Sequence, residues 1–368
     1  MRDDTVRALE FHETGQPLRV VARPGPEPGP GEVVLKVAYC GICGSDVHAT
    51  EASASQVAPG TVLGHEFSGE VSQSADPDWQ PGDRAIGVPL MPCSDCRPRG
   101  QCQDGLGILC PKNRIVGMSP EAPGGYAEYV RIHGRQLLRV PDGIALDAAA
   151  LAEPLAVGAH AVRLAGQLLG RRVLVIGAGP IGLATTAFAR RAGARDVVVS
   201  EIDATRRQRA LRLGASSLID PAAGGSIDLG AGGLAQSFRD LTGGPPDVVF
   251  ECVGVPGMLA QAIDVAGIRG RIVVVGVCRH EDRILPRAAI RKELLLQFVL
   301  GYTAEDFRLS LDLLGSGAFD AGAMITGRVT FEELPAVFES LRHPNAHGKV
   351  LLEPYARRND ITTSTGRQ

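Results

Sequence analysis

The pattern of apolar and polar residues changes near Leu151. Before that point, short β-branched runs such as EVVLKVAY at 32–39 and EFSGEV at 66–71 alternate with turns rich in glycine and proline. This texture predicts an irregular, mostly β domain over residues 1–152. Beyond it, long alanine and leucine stretches alternate with brief valine and isoleucine runs. That alternation is typical of stacked βαβ units and a parallel sheet.

Continuous apolar runs in the second region predict strands that are covered on both faces. These strands are predicted at 171–177, 196–200, 247–252 and 270–277. Farther on, the segments 304–314 and 331–341 have the periodicity of helices with polar faces, and GKVLLEP predicts a last strand. We expect residues 298–355 to complete the first domain, and the polar tail 356–368 to be disordered.

A glycine motif directly follows the first of these strands. RRVLVIGAGPIG places Gly177, Gly179 and Gly182 in a GxGxxG pattern, with Pro180 and Ile181 at the opening of a helix. The first glycine permits a tight turn, the second lets the backbone approach a pyrophosphate, and the third allows close helix–strand packing. The helix N-terminus favours the phosphate charge. The motif predicts a doubly wound Rossmann sheet that binds a dinucleotide over residues 153–297.

An acidic residue at the end of the second strand bears on which dinucleotide binds. Glu201 lies where a carboxylate can bond the adenosine ribose and repel the extra phosphate of NADP. Asp203 competes for this role, although its place before the next helix suits an N-cap. NAD is therefore predicted as the cofactor, while Arg206 and Arg207 leave NADP as the less favoured alternative.

Three separated segments carry side chains that bind metals. CGICGSDVH at 40–48, GHE at 64–66 and LAEPLAVGAH at 151–160 supply a thiolate, an imidazole and two carboxylates. These groups suit a catalytic zinc that keeps one position open. Each fragment alone is equally consistent with a buried core group.

Taken in order, the motifs resemble the zinc-containing medium-chain dehydrogenase/reductase family over nearly the whole chain. The similarity is greatest to its sorbitol, butanediol and threonine dehydrogenase branches. It is carried by GICGSDVH, GHE, a cysteine-rich lobe, AEPLAVG, GAGPIG, ECVG and GKVLLEP. The resemblance implies an α/β protein with a GroES-like catalytic domain beside the Rossmann domain. A zinc-free quinone or enoyl reductase is a rival within the superfamily, but those enzymes lack the cysteine, histidine and glutamate set.

The resemblance also implies a ligand set for the catalytic zinc. Cys43, and not Cys40, is the thiolate, because the family's cysteine comes two residues before the Ser-Asp pair. His65 supplies the imidazole, and Glu66 is the usual third ligand in the polyol branch. Glu153 stands where other alcohol dehydrogenases have a cysteine, and it binds zinc either directly or through water.

Neighbouring residues match the family's supporting groups. Asp46 corresponds to the carboxylate that orients the ligating histidine. Ser45 and His48 match the serine and histidine that carry the alcohol proton away, with an ordinary surface histidine as the less favoured alternative for His48. The reaction implied is zinc-assisted transfer of hydride from a secondary alcohol to the nicotinamide.

Four further cysteines lie close together in CSDCRPRGQCQDGLGILC. Cys93, Cys96, Cys102 and Cys110 suit a closed structural zinc site that staples a loop, which would give two zinc ions per chain. The lobe resembles the family's structural zinc lobe, but it has three extra residues before the third cysteine, with Arg99 at the usual thiolate position. A metal-free or disulfide-linked lobe therefore remains an alternative.

A zinc ribbon that binds nucleic acid or a protein is the hypothesis from another class. Such a ribbon needs a basic face, and the lobe offers only Arg97 and Arg99 against Asp95 and Asp104. The net charge of −3 and the absence of a long run of one sign also argue against nucleic acid and anionic membranes as partners. With no apolar run of bilayer length and no signal peptide, a cytoplasmic location is predicted.

The segment KELLLQFVLGYTAEDF at 292–307 bears on substrate and assembly. Sorbitol dehydrogenases carry an Arg-Tyr pair here, whereas this chain has Gly301 and Tyr302. Loss of the guanidinium favours a less polar secondary alcohol or a vicinal diol over a long polyol, with polyol and amino-alcohol dehydrogenases as alternatives. The LLLQFVL run could pair with its own copy, which predicts a homodimer or homotetramer.

Overall fold

The computed structural model describes residues 5–51, 57–91, 93, 107–222, 231–343 and 345–356. These residues form two compact units. The first holds the described residues up to Glu153, Leu311–Ala321 and those from Ile325 onward, and the second holds Pro154–Ser310 and Gly322–Met324. Apart from Ala356, the tail predicted to be disordered lies outside the described residues.

Short strands dominate the first 150 residues, as the alternation of β-branched runs and turns predicts. Their elements are β1 Thr5–Phe11, β2 Arg19–Pro24, β3 Glu32–Gly41, α1 Gly44–Ala49, β4 Thr61–Val62, β5 Glu66–Ser74, β6 Arg84–Gly87, β7 Leu90–Met91, β8 Arg114–Ile115, β9 Tyr129–His133, β10 Leu137–Arg139 and α2 Leu146–Ala149.

Helices and strands then alternate along the rest of the chain. The elements are α3 Ala152–Ala165, β11 Arg172–Ile176, α4 Pro180–Arg191, β12 Asp196–Ser200, α5 Ala204–Arg212, β13 Ser217–Ile219, α6 Ala231–Thr242, β14 Val248–Glu251, α7 Met258–Val265, β15 Arg271–Val274, α8 Pro286–Ile290, β16 Leu295–Phe298, α9 Ala304–Gly315, α10 Ala321–Met324, β17 Ile325–Val329, α11 Leu334–Ser340 and β18 Lys349–Leu352. Among the described helices, none has both the length and the apolar character needed to cross a membrane.

The main sheet of the first unit has seven strands, with β3 at its centre. The strand order is β10-β6-β5-β3-β18-β17, and β9 also pairs with β3. The strand β18 reaches this sheet from the far end of the chain, where Leu352 pairs with Cys40. Buried side chains of β3 and β5, such as Leu35 and Phe67, form the core beneath the sheet. This sheet sets the ends of β3, β5 and β18 side by side.

The second unit contains a six-stranded sheet in which every neighbouring pair is parallel. Its order is β13-β12-β11-β14-β15-β16. Counted from the first strand of the unit this is 3-2-1-4-5-6, which is the doubly wound Rossmann order with its switch point between β11 and β14. The predicted α/β Rossmann fold is therefore confirmed. Ligands of such sheets bind outside the carboxyl ends of the strands at that switch point.

An ionic cluster around the buried carboxylate of Asp306 joins α3 to α9 within the second unit. The carboxylate of Asp306 on α9 lies 2.9 Å from Nδ1 of His160 and accepts bonds of 3.0 Å from the guanidinium of Arg163, both on α3. Burial raises the pKa of Asp306, but these two bonds and the Thr303 donors outweigh burial and lower it to about 2. The ionised carboxylate thus holds the two helices together.

Candidate functional site

The turn between β3 and α1 positions the first group of predicted site residues. Cys43 is the N-cap of α1, and its backbone N–H donates to Oδ2 of Asp46 at 3.3 Å. An acidic side chain in the first helical turn accepts such a donor and complements the helix dipole. This bond fixes the backbone of Cys43, whose thiol lies in one cluster with the side chain of His65, the residue that directly precedes β5.

Three of the predicted ligands lie together in the first unit. One potential ligand atom each from Cys43, His65 and Glu66 falls within 4.8 Å of the others. Ser45 also reaches this cluster, because its Oγ lies 3.1 Å from the Cys43 thiol and 3.5 Å from Nε2 of His65. Oε1 of Glu153 lies 3.9 Å from the same Nε2. A sulfur, a nitrogen and carboxylate oxygens are the donors that zinc takes.

Asp46 holds the imidazole of His65 in one orientation. Its Oδ1 lies 3.1 Å from Nδ1 of His65, so Nε2 is the nitrogen that faces the cluster. Burial lowers the pKa of His65, but the charge and the hydrogen bond of Asp46 outweigh burial and hold it well above its ordinary value. Because a metal ligates the neutral imidazole, a cation bound at Nε2 must displace a proton.

Only one of the two carboxylate oxygens of Glu66 has a hydrogen-bond partner. Its Oε1 accepts a bond of 2.6 Å from Nζ of Lys349, and both side chains are buried. Its Oε2 is buried without a hydrogen-bond partner. A buried carboxylate oxygen left in this state is costly unless a cation or donor completes it. The open oxygen therefore fits a zinc ligand, and Cys43, His65 and Glu66 would hold the metal.

Lys349 is a site residue that the sequence reasoning missed. It opens β18, and besides Glu66 it donates to the backbone oxygen of Ile42 at 3.0 Å. The charge of Glu66 outweighs burial and raises the pKa of Lys349, so the ammonium is retained. The available signal was a lysine at the start of an otherwise apolar strand in GKVLLEP.

The two predicted proton carriers differ in their surroundings. Ser45 lies against the thiol and imidazole of the cluster, as described above. His48 is exposed one turn farther along α1, where its Nδ1 lies 2.8 Å from Oε1 of Glu51. Cys40, the cysteine that was set aside as a ligand, is fully buried and its thiol approaches the carbonyl oxygen of Gly41 at 3.9 Å.

The glycine motif of the second unit forms a loop between β11 and α4. Gly177 has a φ of +94°, which favours glycine, and a Cβ on Gly182 would lie 2.0 Å from the Gly177 carbonyl oxygen. A Cβ on Gly179, by contrast, would meet nothing within 4 Å. The helix α4 begins at Pro180, where the missing N–H costs no helical bond. The bare backbone at Gly179 is a cradle that fits a pyrophosphate.

Two backbone donors hold the carboxylate of Glu201, and one of them belongs to this loop. Its carboxylate accepts from the N–H of Ala178 at 2.8 Å and from the N–H of Asp203 at 2.9 Å. Asp203 caps α5 by accepting from the N–H of Arg206, which confirms the N-cap prediction. Nε of Arg206 is buried without a hydrogen-bond partner, whereas Arg207 pairs with Asp220 at 2.8 Å.

Glu251 in the ECVG motif is a second support that the sequence reasoning did not assign. Its Oε1 accepts from the N–H groups of Val253 and Gly254 at 2.6 and 2.8 Å. Burial raises the pKa of Glu251 although these bonds oppose the shift. The turn so formed places Val253 close to Gly177: a Cβ added to Gly177 would lie 2.7 Å from Cγ2 of Val253. Glu251 therefore braces the carboxyl edge of β14 against the glycine loop.

Two of the four cysteines of the predicted structural zinc lobe are described. Cys93 is partly exposed, and Cys110 is buried. Cys96 and Cys102 lie outside the described residues.

Family comparisons cover both units. The family described as "Alcohol dehydrogenase GroES-like domain" matches residues 29–142, and the family described as "Zinc-binding dehydrogenase" matches residues 180–316. The chain belongs to the zinc-containing alcohol dehydrogenase family. This membership confirms the predicted resemblance and the GroES-like fold, and it makes the protein an oxidoreductase. The match over 29–142 runs through the cysteine-rich segment, which favours a dehydrogenase domain over an independent zinc ribbon.

Individual members of the family are similar along almost their whole length. The (R,R)-butanediol dehydrogenase of Bacillus subtilis (strain 168) is 30% identical over 95% of this chain and 100% of its own. The sorbitol dehydrogenase of Ovis aries is 32% identical over 90% of this chain and 92% of its own. Among solved structures, a chain from Sinorhizobium meliloti 1021, described as a candidate zinc-binding dehydrogenase bound to NADP, is 34% identical in sequence. The match covers 95% of this chain and 99% of that chain, with a TM-score of 0.85.

Proposed function

We propose that this chain is an NAD-dependent zinc alcohol dehydrogenase that interconverts a secondary alcohol, or a vicinal diol, and its ketone. The observation that carries the proposal is the convergence of Cys43, His65 and Glu66, one of whose carboxylate oxygens, Oε2 of Glu66, is buried without a hydrogen-bond partner. Such a donor set suits a catalytic zinc. The Rossmann sheet and its glycine loop support a dinucleotide as the hydride acceptor.

The chain's own residues divide the work around the two bound groups. When zinc and the dinucleotide are bound, zinc would supply Lewis acidity toward the alcohol oxygen and the nicotinamide would accept the hydride. Asp46 keeps Nε2 of His65 directed at the cluster, and Lys349 balances the charge of Glu66. Glu153 completes the donor set, either directly or through water.

The alcohol proton has a short first step available in the first unit. We assign the first relay to the hydroxyl of Ser45, which would take up the alcohol proton while it releases its own toward His48; its Oγ lies within 3.5 Å of both Cys43 and His65. His48 is the proposed exit, because it is exposed and its Nδ1 contacts Glu51. A proton released there reaches water.

Metal analysis combined with a turnover screen tests the proposal. The screen compares secondary alcohols, vicinal diols, polyols and amino alcohols with NAD and with NADP. We expect bound zinc and reduction of NAD by a secondary alcohol or diol. Zinc-free protein that keeps its full turnover would contradict the proposal.

The bound cofactor is proposed to be NAD because Glu201 places a negative charge at the adenosine end of the loop. Glu201→Gln keeps an oxygen that can accept the N–H of Ala178 but removes the charge. We expect the ratio of NADPH to NADH affinity to rise about tenfold, which corresponds to ~1.4 kcal/mol. Titration of nucleotide fluorescence measures both affinities. Arg206, whose Nε has no partner, would then be available to the 2′-phosphate.

Asp196→Asn is the matched control for this prediction. It also removes one carboxylate charge, at the other end of the same strand, where Asp196 pairs with Arg195. The control should leave the ratio unchanged. An unchanged ratio in Glu201→Gln would mean that another group selects the cofactor.

A less polar substrate is proposed from the residues that replace the polyol-binding pair. Gly301 carries no side-chain donor, and Tyr302 is buried within the second unit, where its ring packs edge-on against Phe307 with centroids 4.7 Å apart. Without a guanidinium fork, a chain of hydroxyls would be left unsatisfied.

We also propose a structural zinc held by Cys93, Cys96, Cys102 and Cys110, which metal analysis would report as a second zinc per chain.

Self-association is proposed through β16, the edge strand of the Rossmann sheet. Leu295 and Phe298 on this strand are 57% and 63% exposed. An exposed apolar edge strand is an aggregation hazard unless a partner covers it, and pairing with its own copy is one solution. We expect the wild-type protein to form a homodimer or homotetramer of the 38.6 kDa chain in the cytoplasm.

Placing positive charges on the edge strand β16 tests this assembly. The double variant Leu295→Lys/Phe298→Lys should sediment as a monomer, because both substitutions lie at exposed positions and like charges would face one another across the pair. Ile268→Lys is the control, since Ile268 is 80% exposed in the same unit but outside the strand. A monomeric wild type, or a double variant that still associates, would refute the assignment.

A further inference from the structure

Tyr126 is fixed in the first unit by backbone bonds on both sides of its peptide. Its N–H donates to the carbonyl oxygen of Leu63 at 3.0 Å, and its own carbonyl accepts from the N–H of Leu9 at 2.8 Å. The side chain is fully buried. A residue pinned in this way has little freedom to redirect its ring.

The ring of Tyr126 lies directly against the residue that precedes His65. Gly64 has a φ of +92°, and a Cβ there would come within 2.5 Å of Cδ1 of the tyrosine ring. On another side the ring meets Phe338 edge-on, with centroids 6.5 Å apart. The tyrosine thus occupies a fixed slot beside the proposed metal site.

The hydroxyl of Tyr126 contacts the carboxylate that orients His65. It donates to Oδ2 of Asp46 at 2.7 Å, whereas the other acceptor within reach, the carbonyl oxygen of Gly41, is 3.4 Å away. Oδ1 of the same carboxylate faces Nδ1 of His65 at 3.1 Å. A charge-assisted bond of this length in a buried site is strong and directional.

We propose that Tyr126 is a positioning residue for the zinc site, and that its hydroxyl acts through Asp46 to direct the imidazole of His65. The inference rests on the proposed function, because it needs zinc at the cluster of Cys43, His65 and Glu66. The hydroxyl occupies one oxygen of the carboxylate and so restricts its rotation, which leaves the other oxygen for the imidazole. Groups behind a metal's ligands typically change its affinity by about 10–100-fold.

Tyr126→Phe in the full chain tests this role, because it keeps the ring and removes only the hydroxyl. Zinc affinity is measured by competition with a chelator, counting only the zinc that Cys43→Ala abolishes. We expect Tyr126→Phe to weaken that zinc about tenfold. The melting temperature of the metal-free protein is measured alongside, since a role confined to folding would lower it and leave the zinc affinity intact.

Tyr39→Phe is the matched control. Tyr39 also donates a phenolic hydroxyl to a carboxylate of the same unit, Oε1 of Glu353, at 3.3 Å. Glu353 is not the carboxylate that contacts His65, so zinc affinity should be unchanged. Equal loss in both variants would overturn the inference, as would the failure of Tyr126→Phe to fold, because the hydroxyl would then serve the fold and not the metal.

A double-mutant cycle with Asp46→Asn tests the route of the effect. If the hydroxyl acts through Asp46, Tyr126→Phe should add no further loss of zinc affinity in the Asp46→Asn background. Additive losses would overturn the inference. Wild-type protein lacking the zinc that depends on Cys43 would refute the proposed function itself, whereas unchanged zinc affinity in Tyr126→Phe refutes only the role of the tyrosine.

Discussion

Cys43→Ala is expected to lower kcat/KM for the alcohol by at least about 10³-fold. The substitution removes the thiol at the N-cap of α1, which converges with His65 and Glu66 as one of the three proposed zinc ligands. Loss of a group behind the ligands costs about 10–100-fold, so loss of a ligand itself should cost more. Zinc content should fall by one ion per chain. NADH binding, measured by fluorescence, should stay within about twofold of the wild type, because the glycine loop belongs to the other unit.

Cys40→Ala is the control that separates a ligand from a nearby thiol. Cys40 comes three residues earlier and is fully buried. Its loss should leave zinc content and turnover unchanged while it lowers the free energy of unfolding by about 1 kcal/mol through a small cavity. Full activity and full zinc content in Cys43→Ala would overturn the ligand assignment.

Gly179→Ala and Gly182→Ala should have opposite signatures in the same loop. A Cβ on Gly182 would lie 2.0 Å from the Gly177 carbonyl oxygen, so α4 must shift from β11. We expect this variant to lose at least about 3 kcal/mol of stability, in the range of severe overpacking. Gly179 has a φ of −67° and open space around its Cβ direction, so Gly179→Ala should melt at the wild-type temperature.

Nucleotide binding distinguishes the two glycines further. The methyl group of Gly179→Ala would occupy the cradle that a pyrophosphate needs, so NADH affinity should fall at least about tenfold in a fully folded protein. Thermal unfolding and fluorescence titration of the same samples measure both properties. Wild-type affinity in Gly179→Ala would show that the phosphates bind elsewhere, and wild-type stability in Gly182→Ala would contradict the packing described here.

The local pattern of the sequence predicts element types better than it predicts their ends. The apolar run at 270–277 predicts a strand that the structure limits to Arg271–Val274. The chain leaves the sheet there because the N–H groups of Val275 and Gly276 both bond to the backbone oxygen of Glu251, which lies 24 residues or more away along the chain. A contact of that kind has no signature in the run itself.

What the sequence determined on its own is whatever depends on neighbouring positions. Dihedral preference and local hydrogen bonding act over a few residues, so they set the local geometry of three features. These are the glycine spacing before α4, the acid at Glu201 and the Cys-x-Ser-Asp turn at Cys43.

Only the tertiary structure decided which distant side chains meet. Lys349 bonds to Glu66 across 283 positions, and Tyr126 bonds to Asp46 across 80. The first pair forms because the seven-stranded sheet sets β18 against β3 and β3 against β5. The second forms where backbone bonds to Leu63 and Leu9 hold Tyr126. Such pairings follow from the packing of the whole core, and no period or motif in one segment specifies the partner that another segment will bring.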